Sequence, residues 1–321
     1  MLNLPVAVFE KIKNKKHILI SGMGGGFDVY AGLPLYYYLT KLGKKVTLAN
    51  YTFSNIAQLK DVEELKFLNN FLVGTKGNLK VQHTYFPEGY LAEWLNKEKE
   101  IDTEVWMFPK VGPKALNKGY KKLIDNKGID CIFLVDGGVD SLMIGDEEGK
   151  GTIVEDSISL AAINSLEIEI VNVAIGFGTE VEEKVCHYSA LENISRIIRQ
   201  GGFYGSCSLV NYMNSFQFYK EACEYTFNQP NHKSSHISSR IIPATEGSET
   251  VEDSDATKTK DVEVFLSPLM SIMWFFDSRA LIYNNKLVPY IEALDSFQEV
   301  VSEIMPRLKE WQERPRKSIP Y

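Results

Sequence analysis

The sequence has no hydrophobic run long enough to cross a lipid bilayer. Its longest apolar runs, residues 131–135 and 170–175, are only as long as strands, whereas a membrane-spanning helix needs about 20 residues. Residues 1–16 also lack the pattern of a secretory signal, because their charges follow a short apolar patch and no small-residue cleavage site is present. The expected compartment is therefore the cytoplasm, and no membrane partner is expected.

Paired cysteines and clustered positive charge are also missing. The four cysteines, Cys131, Cys186, Cys207 and Cys223, contain no CxxC pair, which excludes a disulfide framework and a structural zinc site and predicts free thiols. The formal net charge is -7 with scattered basic residues, so a nucleic-acid partner is not expected. We expect a small-molecule ligand, and a homo-oligomer is compatible with the sequence.

The chain has the composition of a globular protein with a sizeable core, since 44% of its 321 residues are hydrophobic and 24% are charged. Strand-like and helical patterns alternate along it, with strands predicted at residues 17–21, 45–49, 81–86, 104–109, 129–135 and 167–175 and helices at 33–42, 112–126 and 154–164. Such alternation favours a parallel sheet. We predict an α/β fold with a doubly wound, mainly parallel Rossmann-like sheet and helices on both faces.

The remaining pattern predicts one domain rather than two. Helices are predicted at residues 189–199, 210–227, 267–281 and 288–308, and a strand at residues 262–266. No repeat or linker divides the chain, so residues 1–311 are predicted to be a single α/β domain. Within it, the polar segment 246–260 is predicted to be a mobile surface loop, and residues 312–321 a loose C-terminal tail.

A glycine loop follows the first strand. Its sequence, SGMGGGFD over residues 21–28, precedes a helix, and such a loop in a parallel α/β fold binds anionic groups through backbone amides. The predicted ligand-binding residues are Gly22, Gly24, Gly25, Gly26 and Asp28. Phe27 stands where GxGxxG requires glycine, and Asn50 where a dinucleotide site requires an acid, so a nicotinamide cofactor is disfavoured. The alternative is a tight turn capped by Asp28.

An acidic loop connects a strand to the helix near residue 154. Carboxylates alternate there with glycines over residues 136–156, a composition suited to binding Mg²⁺ or sugar hydroxyls. We expect Asp136, Asp140 and Asp146 to bind Mg²⁺, with Asp136 and Asp140 catalytic and Glu155 or Asp156 acting as acid or base. Ligand contacts are expected from Gly137, Gly138, Ser141 and Thr152. Thr152 and Glu155 alternatively form a capping box.

A third loop, residues 175–182, follows the strand predicted at 167–175 and should reach the same edge of the sheet. Its glycines, Gly176 and Gly178, are predicted to bind the ligand through backbone amides, and Glu180 or Glu182 would add a carboxylate. An ordinary connecting loop is the alternative explanation.

The two motifs together resemble an uncharacterised archaeal and bacterial family, domain of unknown function 1152. The resemblance lies in the segments GGGFD at residues 24–28, DGGVDSL at 136–142, GDE at 145–147, GT at 151–152 and ED at 155–156. It spans most of the chain, with the polar segment 246–260 as a local departure. It implies a shared pocket and brings no activity or substrate with it.

Two functions fit these residues. The first is a hydrolase or group transferase, Mg²⁺-assisted, that acts on a nucleotide-like or phosphorylated metabolite. The second is a non-catalytic sensor that binds such a metabolite in the same pocket. The density of carboxylates favours the enzyme, because a sensor needs the glycines but not a group of acids.

Overall fold

The structure, a computed structural model, describes residues 6–56, 59, 65–70, 72–77, 85–230, 232, 234–252 and 263–319. Most of the strand predicted at residues 81–86 lies outside this part of the chain. Among the described residues, every helix is too short or too polar to cross a bilayer.

The described strands form one nine-stranded mixed sheet and one two-stranded sheet. They are β1 (His17–Gly22), β2 (Lys45–Tyr51), β3 (Lys66–Asn69), β4 (Leu72–Thr75), β5 (Val105–Phe108), β6 (Cys131–Asp136), β7 (Glu169–Ile175), β8 (Phe203–Ser208), β9 (Thr250–Glu252), β10 (Glu263–Phe265) and β11 (Ile272–Asp277). The large sheet has the order β3-β4-β5-β2-β1-β6-β7-β11-β8, and β9 pairs with β10.

The described helices connect and cover these strands. They are α1 (Ala7–Lys11), α2 (Asp28–Ala31), α3 (Leu33–Lys41), α4 (Pro87–Glu93), α5 (Pro113–Lys127), α6 (Ile153–Ile163), α7 (His187–Arg199), α8 (Asn214–Phe227), α9 (Ser238–Glu246), α10 (Ser278–Asn284), α11 (Val288–Ile291) and α12 (Phe297–Glu310). Local signals fix several ends: α5 begins at Pro113 and ends before Gly128 with φ 70°.

Five parallel strands form the centre of the sheet. β1 pairs in parallel with β2 and β6, β2 with β5, and β6 with β7. The order therefore runs outward from β1 in both directions, so the loops after β1 and β6 lie next to each other. In open α/β sheets this reversal creates a crevice at the carboxyl ends of the strands.

Both faces of the central strands are buried, as expected for a parallel sheet covered by helices. Alternate residues of β1 point to opposite faces: Leu19 packs in a core with residues of α5 and α6, and Ile20 packs in a core with residues of α3 and α8. Every residue of β1 and β6 is buried. The prediction of an α/β fold with a mainly parallel central sheet is confirmed, whereas the strands at both edges are antiparallel.

The predictions of two helices near the C-terminal end were wrong in part. The predicted helix at 267–281 is a short 3-10 turn, the strand β11 and the helix α10. Met273 and Phe275 face one core and Phe276 the other, so this aromatic run alternates between the faces as a strand does. The predicted helix at 288–308 is divided into α11 and α12 because Ser296 and Glu299 form a capping box that starts α12.

The predicted loose tail is instead attached to the domain. Arg314 forms a β-bridge with Glu147, its backbone amide donates to the carbonyl of Asp146 at 2.6 Å, and its carbonyl accepts from the amide of Glu148 at 3.0 Å. In the segment predicted as a mobile loop, α9 extends to Glu246 and residues 250–252 form β9, while residues 253–260 lie outside the described part.

Candidate functional site

A cavity of about 360 Å³ lies at the carboxyl ends of the five central strands. Each of these strands is followed by a residue that lines it: Gly24 after β1, Phe53 after β2, Lys110 after β5, Asp140 after β6 and Glu180 after β7. Residues 234–238, which lead into α9, form a further wall. The structure therefore brings the glycine loop and the acidic loop to one cavity, as parallel strand order requires.

The glycine loop is tied to the acidic loop through Asp28. Its Oδ2 accepts a hydrogen bond from the amide of Gly24 at 2.6 Å, and its Oδ1 accepts one from the amide of Gly137 at 3.1 Å. These two amides are thus already used by a carboxylate of the chain. They are therefore not free to donate to an anionic ligand.

The glycines of this loop serve different purposes. Gly24, Gly25 and Gly26 line the cavity, whereas Gly22 is a packing position within β1. A methyl group at Gly22 would lie 2.0 Å from Oδ1 of Asn50, so only glycine lets the two strands and the following helix approach. The expectation that Gly22 contacts a ligand is corrected, because it does not line the cavity.

Three buried aspartates converge at the centre of the cavity. Asp136, Asp140 and Asp156 each offer a carboxylate oxygen, and these oxygens all lie within 4.8 Å of one another. Asp140 Oδ2 accepts hydrogen bonds from the amide and the hydroxyl of Thr152, at 2.7 Å and 2.6 Å, which closes the base of the acidic loop. Asp136 Oδ2 accepts one from the amide of Ser141 at 3.2 Å.

Asp156 differs from its neighbours because neither of its oxygens accepts a hydrogen bond from any described residue. The side chain is 1% exposed and lines the cavity. A buried charged carboxylate without a partner is costly, so Asp156 in the first turn of α6 must either hold a proton or have its charge compensated. A cation held by the three aspartates would provide that compensation.

The electrostatics of the cavity follow from burial and repulsion. Burial raises the pKa of Asp28 to about 7, and the hydrogen bonds from Gly24 and Gly137 act in the opposite direction. Burial raises the pKa of Asp136 and of Asp156 well above the usual range, and the nearby charge of Asp140 raises both further. Without a cation, the cavity therefore retains protons near neutral pH.

The third loop contributes Glu180. This side chain is 4% exposed, lines the cavity and accepts a hydrogen bond from the amide of Val139 through Oε2 at 2.7 Å. Burial, followed by the charges of Asp140 and Asp136, raises its pKa well above the usual range. Glu182 instead forms an ion pair with Arg240 at 2.5 Å.

The glycines predicted as ligand contacts beside these carboxylates have structural roles. Gly176 and Gly178 adopt φ values of 96° and 95°, which glycine tolerates, and shape the turn that leads to Glu180. Gly137 lines the cavity, whereas Gly138, Gly176, Gly178 and Ser141 do not. Of the ligand contacts predicted from the acidic and third loops, Gly137 and Thr152 therefore line the cavity.

Glu155 lies at the rim rather than among the buried acids. Its carboxylate pairs with Lys110 Nζ at 2.9 Å, and Lys110 Nζ lies 4.7 Å from the ring centre of Phe53 and 4.0 Å from that of Phe297. Lys110 is thus the lysine that lines the cavity among the described residues. Lys110 and Phe53 were not predicted as site residues, because the strand that precedes each carries no motif.

Asp146 was predicted as a metal ligand, and the structure corrects this. Its carboxylate bonds to Arg314 Nε at 2.8 Å and also pairs with Lys286, and these two cations hold its pKa below the usual range. Asp146 lines a separate surface groove. The loop folds back at Gly145, where φ is 110°, and directs Asp146 away from Asp136 and Asp140, while Asp156 takes the third position.

A second buried acid supports the glycine loop. Glu88 is fully buried and accepts hydrogen bonds from Asn50 Nδ2 at 2.7 Å and from Ser54 Oγ at 2.8 Å. Asn50 Nδ2 also donates to the carbonyl of Gly26 at 3.0 Å. Asn50 stands where a dinucleotide site needs an acid. Its hydrogen bonds instead hold the glycine loop in place. Nothing in the local sequence around Glu88 indicated this role.

Neither the curated proteins nor the solved structures include one that matches the chain significantly. The family described as a protein of unknown function (DUF1152) matches residues 19–308, a span that contains all five loops of the cavity. The chain therefore belongs to the DUF1152 family.

Proposed function

We propose that this protein is an Mg²⁺-dependent hydrolase or group transferase that acts on a nucleotide-like or phosphorylated metabolite. The observation that carries the proposal is the group of Asp136, Asp140 and Asp156, whose oxygens lie within 4.8 Å of one another while Asp156 accepts no hydrogen bond from a described residue. Carboxylate oxygens are the protein ligands that Mg²⁺ prefers.

The phosphorylated substrate follows from the charges around this group. A bound Mg²⁺ would supply the positive charge that a phosphate needs beside these carboxylates. Gly25 and Gly26 line the adjoining wall, with the ring of Phe53 packed against Gly25, and Lys110 at the rim provides a second positive charge. Glu155 orients Lys110 through their ion pair. Hydride transfer is disfavoured because Asn50 supports the loop instead of binding a ribose.

We also propose that the fold is a Rossmann-like, doubly wound one. In support, the central order β5-β2-β1-β6-β7 reverses at β1, and cores on both faces of the sheet contain helices. The cavity lies at the reversal.

The test combines metal binding with turnover. Purified protein is titrated with MgCl₂ in a calorimeter and then incubated with nucleotides and sugar phosphates, with and without Mg²⁺. Asp136→Asn should weaken Mg²⁺ binding roughly tenfold or more and abolish turnover, whereas Asp125→Asn, an exposed aspartate on α5, should change neither. Turnover that needs no Mg²⁺, or that survives Asp136→Asn, would contradict the proposal. Thermal stabilisation by a metabolite without product would identify a binding protein instead.

A further inference from the structure

Arg314, which follows α12 in the C-terminal tail, is bonded to the outer part of the acidic loop. Its Nε donates to Asp146 Oδ1 at 2.8 Å, and its Nη2 donates to Glu147 Oε1 at 2.8 Å and to Asn193 Oδ1 at 3.3 Å. Glu147 and Asn193 are both buried. Because the donors of a guanidinium lie in one rigid plane, this tail residue fixes the acidic loop relative to α7, the helix that contains Asn193.

The two buried acceptors bond in turn to the backbone of the acidic loop. Glu147 accepts hydrogen bonds from the amides of Ile144 and Gly145, both at 2.9 Å. Asn193 Nδ2 donates to Glu147 Oε1 at 2.7 Å and to the carbonyl of Leu142 at 3.0 Å. The contacts that begin at the tail therefore reach Leu142 through one side chain of α7.

Leu142 ends a short 3-10 turn that orients two of the three central aspartates. Asp140 is the first residue of this turn. The amide of its second residue, Ser141, donates to Asp136 Oδ2 at 3.2 Å. The turn thus sets how the carboxylates of Asp140 and Asp136 lie relative to each other, and Asn193 holds the end of the turn that faces away from Asp140.

We propose that Arg314 is a positioning residue for the cation site and acts through Asn193 on the turn that carries Asp140. Arg314 does not line the cavity, so it acts without touching the cation or the substrate. This inference rests on the proposed function, whose cation lies between Asp136, Asp140 and Asp156. Groups that orient metal ligands from behind change metal affinity by about 10–100-fold when they are removed.

The experiment uses the full chain with Mn²⁺ alone as the probe. Free Mn²⁺ is measured by electron paramagnetic resonance during a titration at about pH 8, where carboxylates compete well against protons. Arg314→Ala should weaken Mn²⁺ binding roughly tenfold or more. Leu39→Ala is the control for lost stability, because it empties a buried position in α3 and should destabilise the chain to a comparable extent in urea. Its Mn²⁺ affinity should equal that of the wild type.

A second comparison tests the route through Asn193. Asn193→Ala keeps the ion pairs of Arg314 with Asp146 and Glu147 but removes the bond to Leu142, and it should also weaken Mn²⁺ binding roughly tenfold. Residues that act along one route are not additive, so the double variant should bind Mn²⁺ much more tightly than the product of the two single losses predicts. Losses that multiply would overturn the route through Asn193.

The remaining outcomes separate this inference from the proposed function. If Arg314→Ala binds Mn²⁺ as tightly as Leu39→Ala does, the positioning role is overturned and the proposed function stands. A wild type that binds no Mn²⁺ would overturn both. If Arg314→Ala fails to fold, as circular dichroism would show, Asn193→Ala decides alone, and an unchanged Mn²⁺ affinity in that variant would overturn the inference.

Discussion

The carboxylate of Asp28 accepts a hydrogen bond from the backbone amide of Gly137 at 3.1 Å, 109 residues further along the chain. This bond joins the loop after β1 to the loop after β6 at the point where the strand order reverses. The same carboxylate accepts from Gly24, so one buried side chain fixes both loops. The position of the cavity walls thus depends on an acid that itself lines the cavity.

Replacing Asp156 by asparagine should stabilise the metal-free protein. The carboxylate is buried without a hydrogen bond from a described residue, whereas an asparagine amide can donate to the neighbouring carboxylates. The free energy of unfolding should rise by roughly 1–3 kcal/mol, measured by urea denaturation with a chelator present. Asp125→Asn should have no effect. A less stable Asp156→Asn protein would show that Asp156 is compensated within the folded chain.

The stability of the metal-free protein should fall as the pH rises through neutrality. Folding raises the pKa of Asp28 from 3.8 to about 7, so the folded chain binds more protons than the unfolded chain between these values. The contribution of Asp28 is therefore complete below its unfolded pKa and is lost as the pH approaches about 7. The raised pKa values of Asp136, Asp156 and Glu180 extend the loss to higher pH.

This pH dependence is measured by urea denaturation in a pH series. Saturating MgCl₂ should reduce the slope of unfolding free energy against pH, because a bound cation replaces the protons. Asp156→Asn should also reduce the slope in the absence of metal. A slope that is equal with and without MgCl₂ would argue against cation binding at these carboxylates.

Arg314→Ala should lower the free energy of unfolding much more than a substitution in a solvated tail would. Arg314 pairs with Glu147 at 2.8 Å and with Asp146 and Glu192, and Glu147 is fully buried. Removing the cation leaves a buried carboxylate unpaired, at a cost of about 3–5 kcal/mol. Lys114→Ala, which breaks an exposed pair with Asp295, should cost far less, because water screens that pair. Chemical denaturation of the two variants distinguishes a docked tail from a solvated one.

Gly24→Ala should weaken Mg²⁺ binding without unfolding the protein. The new methyl group would lie 2.8 Å from Asp156 Oδ1, so the carboxylate must move away from the other two aspartates. Calorimetry should show a loss of affinity of roughly tenfold. Gly43→Ala provides the control, because it introduces strain at φ 76° but has no atom within 4 Å. Equal metal affinity in Gly24→Ala and the wild type would place the cation elsewhere.

The sequence predicted the parts of the fold that depend on local pattern. Continuous apolar runs such as residues 131–135 identified the central parallel strands, and their order brought Gly25 and Asp136 to one cavity. The aromatic run in β11 was predicted as a helix because a short apolar segment fits the periodicity of a helix as well as that of a strand. Only its pairing with β7 and β8 decides between them.

Within the site, sequence reasoning identified the acids but not their partners. Asp146 and Asp156 are both aspartates that flank the glycines of the loop, yet Asp146 pairs with Arg314, which lies 168 residues away. Such long-range ion pairs leave no local signal. Lys110 and Glu155 also form an ion pair that the local sequence does not indicate. Lys110 follows β5 and Glu155 lies in α6, and the two meet only in the folded chain.

The cavity walls come from separate connections, while the strands beneath them pair through their own backbones. A substitution at Phe53 or in residues 234–238 alters one wall and leaves the strand ladder unchanged. The scaffold therefore allows the shape and charge of the cavity to be varied one connection at a time, with the central aspartates as a constant base.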